Sequence, residues 1–90
     1  MALSGQTTVT TAGTEVQLNA NTPCEVVIVK ALPANTGIMY IGNDGSNAVA
    51  STTGYPLSAK EYVVIETKNL NQWYVDASVN GEGVAWIVMA

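Results

Sequence analysis

The chain has 90 residues, 48% hydrophobic and 11% charged, with seven carboxylates against three lysines, no arginine, no histidine and one cysteine, for a formal charge of −4. That inventory leaves no basic footprint for phosphate, no partner for an internal disulfide, no His/Cys metal set and no histidine for a Ser-His-Asp or Cys-His centre. No apolar run approaches the about 18–20 residues that span a bilayer, and MALSGQTT lacks the basic start and apolar stretch of a secretory signal. Neither a nucleic-acid nor a membrane partner is therefore expected.

Residues 1–13 are polar and rich in Thr, Ser and Gly, and read as an extended arm with a short strand around Val9. Residues 15–18 form a first strand, with Val16 and Leu18 on one face, ended by the NANTP turn. Residues 24–32, CEVVIVKAL, form a strand apolar on both faces: Val26 and Ile28 on one, Val27 and Val29 on the other. Such a strand is central and covered on both sides, or one face meets another subunit. After the PANTG turn comes a strand over 38–42, IMYIG.

Residues 43–59 are the longest irregular stretch. Strands follow over 61–67, over 72–77 and over 84–89, separated by KNLN and by the tight NGEG turn. Trp73, Val75 and Ala77 share one face of the second of these, and Tyr74 and Asp76 the other. In the last strand Val84, Trp86 and Val88 oppose Ala85, Ile87 and Met89. Twelve Val and ten Thr favour pleated structure, and no window carries a helical apolar stripe. The expectation is an all-β fold: one small β-sandwich or β-barrel, jelly-roll-like, of six to seven short, mostly antiparallel strands. Residues 1–13 form the arm and 14–90 the single domain.

Few residues carry chemistry. NDGSN (residues 43–47) resembles half a calcium loop, but it offers one carboxylate, Asp44, where such a site wants several. Asp-Gly there is more simply a turn. A Ser-Lys pair is the only nucleophilic chemistry the inventory permits. Ser58 and Lys60 lie close in sequence, but nothing points to a buried lysine there, and they read as a loop serine and a surface lysine. No enzymatic activity, metal or cofactor is expected. Cys24 opens an apolar strand and reads as an inert, buried thiol. Trp86, between Val84 and Val88, reads as core, whereas Tyr55, Trp73 and Tyr74 are candidates for a subunit interface or a sugar-stacking surface.

Three segments carry a resemblance: NTGIMYIGN (35–43), TGYPLSAKE (53–61) and NLNQWYVDASVNGEGV (69–84). In their order and spacing, over about two thirds of the chain, they resemble small virion proteins of tailed bacteriophages, of the head decoration, cement or fibre type. In such proteins a glycine often stands where Lys60 stands here. The resemblance implies an all-β, non-enzymatic protein made in the bacterial host cytoplasm and displayed on the virion head. It would bind the major capsid protein lattice as a homo-oligomer, often a trimer. The candidate capsid or subunit contacts are then Thr7, Thr8 and Val9 of the arm, Asn43 and Asp44 of the loop, and Tyr55, Trp73 and Tyr74. The alternative is a carbohydrate- or receptor-binding module of a head or tail fibre.

Overall fold

Alternation at period two sorts the strand residues into those that pack inside and those that face out. In the computed structural model, which describes residues 2–43 and 54–89, it does so over β1 (Ala2–Val9), β2 (Val16–Gln17), β3 (Val26–Ala31), β4 (Met39–Gly42), β5 (Tyr55–Leu57), β6 (Tyr62–Glu66), β7 (Tyr74–Ala77) and β8 (Glu82–Met89). In β3, Val27, Val29 and Ala31 are fully buried while Lys30 is exposed. In β8, Val84, Trp86 and Val88 are buried while Ile87 and Met89 are exposed.

The strands make two four-stranded antiparallel sheets, in the orders β1-β8-β3-β6 and β2-β7-β4-β5. β1 pairs with β8, β2 with β7, β3 with β6 and β4 with β5. Each strand thus meets its counterpart counted from the opposite end of the chain. This is the pattern of one long hairpin ribbon rolled until its ends meet, which is the eight-stranded jelly roll. Of the small jelly-roll-like sandwich or barrel expected from the sequence, the sandwich is the observed all-β fold. It has eight strands among the described residues where six to seven were expected, because residues 2–9 add a full strand and residues 55–57 a short one. Its radius of gyration is 11.6 Å, close to the about 12 Å typical of a compact domain of this length.

The core lies between the sheets. Val27, Val29 and Val84 from one meet Met39, Ile41 and Val75 from the other, sealed at the ends by Leu18 and Leu70. Leu70 sits in a 3-10 turn (Leu70–Gln72) capped by Asn69, whose side-chain oxygen accepts the N–H groups of Asn71 (3.0 Å) and Thr22 (2.9 Å). That turn occupies the beginning of the strand expected over 72–77, which starts only at Tyr74.

The reading of residues 1–13 as an arm is corrected. Residues 2–9 are paired over their whole length with β8, and Val9 is fully buried. Beyond β1, the Ala12 N–H donates to Asn80 Oδ1 (2.7 Å) and the Gly13 N–H to Asp76 Oδ1 (3.0 Å). The second contact explains why Asp76 is only 5% exposed: the segment after β1 lies over it. The inward residues of β1 include Gly5 and Thr7, which carry no apolar signal, so the strand is apparent only once β8 lies beside it.

Two of the motifs behind the phage resemblance meet in space. The Thr36 N–H and hydroxyl donate to Glu82 Oε2 (2.6 and 2.9 Å), and the Gly37 N–H donates to Glu82 Oε1 (2.9 Å). Asn35 Nδ2 donates to the Gly83 carbonyl (2.9 Å). A Cβ on Gly37 would run into Ser78 Oγ and Val79 Cγ2, so any larger residue there would force those side chains to move. NTG and NGEG are thus one clamp holding the β3–β4 connection to the start of β8.

Candidate functional site

Among the described residues no three His, Cys, Asp or Glu side chains gather as a metal would need. Cys24 is buried and its Sγ donates to the Thr67 carbonyl (3.3 Å). Burial, with a smaller contribution from the Glu25 charge, raises its pKa and keeps it a thiol.

The most unusual surface among the described residues is the outer face of the β1-β8-β3-β6 sheet. Pairing register aligns its outward residues in three rows across the strands. The central row runs Ser4, Ile87, Ile28, Val64. On one side lie Gln6, Ala85, Lys30 and Tyr62, and on the other Met89, Val26 and Glu66. Val64 is 55% exposed, Met89 45% and Ile87 41%. Ser4, Gly5 and Ala85 are small, and they leave a shallow groove beside Ile28 and Ile87. The face carries two charges, Lys30 near one end of the strands and Glu66 near the other. Ordinary solvated sheets alternate apolar inside with polar outside, and this face departs from that pattern.

A second feature lies where the edges carrying β5 and β6 come together. Tyr55 (59% exposed) and Tyr62 (64% exposed) line one depression with Pro56, Leu57, Lys60 and Glu61. Glu61 Oε1 accepts the Ser58 N–H (2.7 Å), closing the connection. Lys60 stands in the left-handed region at φ 73, a conformation glycine adopts freely and other residues seldom.

The candidate contacts read from the sequence do not converge. Thr7 is half-buried, and its hydroxyl accepts the Trp86 Nε1–H (3.1 Å) and donates to the Leu18 carbonyl. Thr8 is exposed. Val9 is core, which removes it as a surface contact. Asn43 is exposed just after β4, and Asp44 lies outside the described residues. Trp73 packs against the core with its indole N–H donating to Thr67 Oγ1 (2.9 Å), and Trp86 is buried, so neither ring is a free stacking platform. Tyr74 is half-buried between Gln17 and Gly42, and Tyr55 alone of the three aromatic candidates is open. The outer-face residues Ile28, Val64, Ile87 and Met89 were not among the candidates. Their signal was the apolar character of both faces of three separate strands, which register brings into one surface. Comparison with protein-family models, with curated proteins and with solved structures returned no match.

Proposed function

We propose that this chain is a non-enzymatic structural protein of a tailed-phage particle, displayed on the head and bound to the major capsid protein lattice as a decoration or cement protein. The observation that carries this reading is the apolar outer face of a lightly charged jelly roll, a surface suited to assembly. The motif resemblance supplies the kind of particle. The fold adds weight by analogy, since jelly rolls recur in viral capsid proteins as well as in lectins and cupins. A protein that binds the assembled lattice better than its free subunits stabilises the lattice by mass action, and many copies multiply the effect. Immunogold electron microscopy of the parent particles, with antibody to this chain, tests the reading. Label over heads, and heads that disrupt at lower temperature when the protein is missing, are the expected results. Particles without label overturn it.

The depression holding Tyr55 and Tyr62 favours one second reading, a carbohydrate-binding fibre module. Two exposed tyrosines beside a lysine offer faces for sugar rings and a donor for their hydroxyls. Label at tail tips or fibres, with host-glycan binding abolished by Tyr55→Ala, would replace the first reading with this one.

A further inference from the structure

We propose that the outer face of the β1-β8-β3-β6 sheet is a two-fold interface between two copies of this chain. The inference stands on the surface itself and does not depend on where the protein acts.

The first argument is charge complementarity. Lys30 stands toward one end of the strands and Glu66 toward the other, with the apolar row of Ile87, Ile28 and Val64 between them. Within one copy the two charged rows are four residues apart, about 13 Å, too far for an ion pair. The surroundings leave that difference to the two face residues. At the Lys30 end, Lys60 and Glu61 adjoin Ala31 through backbone hydrogen bonds and offset each other, and Glu82, at the start of β8, is engaged by Thr36 and Gly37 rather than by the face. Near Glu66, Glu25 is already paired with Lys68 at 2.9 Å, leaving that end net negative. A face positive at one end and negative at the other matches itself when inverted, and a two-fold axis performs that inversion. A partner of uniform charge would match only one end.

The register defines the arrangement. With the axis lying along the central row, across the strands, the apolar row packs on its own copy. Lys30 of one copy then stands over Val26 of the other, one strand spacing, about 4.8 Å, from Glu66. Lys30 and Glu66 meet again by symmetry at the opposite rim. The aligned packing of two twisted sheets, about 10 Å apart, accommodates such a pair.

The second argument is area. Strands of 8, 8, 6 and 5 residues, at about 3.3 Å per residue and about 4.8 Å spacing, give a flat patch of about 430 Å² per copy. Both copies together bury about 850 Å², the size of a weak, transient contact. The dimer should therefore be readily reversible, with a Kd in roughly the range of tens of micromolar. It is an isologous pair and differs from the trimer that the resemblance implies.

Sedimentation equilibrium on the intact chain, at concentrations up to about 100 µM, tests the proposal. The wild type should fit a monomer–dimer equilibrium. Ile87→Lys, on the solvent side of β8, should be monomeric with unchanged circular dichroism and an unchanged unfolding midpoint extrapolated to low concentration. Lys30→Glu and Glu66→Lys should each weaken the dimer about 5-fold, and the double exchange should restore it to within about 2-fold of wild type. A wild type that stays monomeric or sediments as a trimer overturns the proposal. So does a dimer indifferent to Ile87→Lys, or a double exchange as weak as the two single losses combined.

Discussion

Gly5 and Trp86 face each other across β1 and β8 so closely that a Cβ on Gly5 would lie 2.6 Å from Cζ2 of the indole. The ring lies across the bare backbone of β1, and the strand's glycine makes the room for it. Gly5→Ala forces the ring or the strand to move, and overpacking of this kind costs about 1–3 kcal/mol. The expected result is a lower urea midpoint with an unchanged slope and an altered tryptophan emission. A midpoint equal to or above that of wild type would show that the ring can shift freely.

Thr7 serves the same indole from the next inward position. Its hydroxyl accepts from Trp86 Nε1 at 3.1 Å and donates to the Leu18 carbonyl, tying β1 to the segment after β2. Thr7→Val keeps the shape and strands both partners, so a loss of about 1–3 kcal/mol is expected. Thr7→Ser, which keeps the hydroxyl, should lose less. Equilibrium unfolding of the two variants separates the hydrogen bonds from the packing.

Glu82 makes stability depend on acid. The Thr36 N–H is the largest cause of its lowered pKa, joined by the Gly37 N–H and the Thr36 hydroxyl and opposed by partial desolvation. A carboxylate whose folded pKa lies below its unfolded value stabilises the fold at pH above that unfolded value, about 4.3, and loses the contribution as pH falls through the folded value. Glu82→Gln should therefore lower Tm at pH 7. The gap between variant and wild type should close as the pH is taken toward 3. A gap that is constant with pH would assign the clamp to shape rather than charge.

Lys60 holds φ 73 where the resembling phage proteins often have glycine. The left-handed conformation costs a non-glycine residue about 1–2 kcal/mol, and glycine returns part of that in chain entropy. Lys60→Gly should stabilise the chain by about 0.5–1 kcal/mol, whereas Lys60→Ala should give no such gain. Thermal unfolding of both variants reads the difference.

The all-β class was legible because period-two alternation is a local property. Val27 and Val29 against Val26 and Ile28, and Val84, Trp86 and Val88 against their neighbours, mark strands whatever lies beside them. The poverty of catalytic groups was legible in the same way, from residue counts alone. The placing of β1 was not, because Gly5 and Thr7 are inward-facing for reasons that lie in Trp86, some eighty positions away. The candidate contacts depended on tertiary structure in the same way: pairing with β8 turned Val9 and Thr7 inward, and the 3-10 turn before β7 laid Trp73 against the core. The outer face depends still more on tertiary structure. Ile28, Val64 and Ile87 become one row only through the registers of β3 with β6 and β8, and a slip of one residue would send each to the other side of the sheet. Alternation thus determined which segments could be strand. Long-range pairing decided which faces met inside, and which apolar face was left exposed.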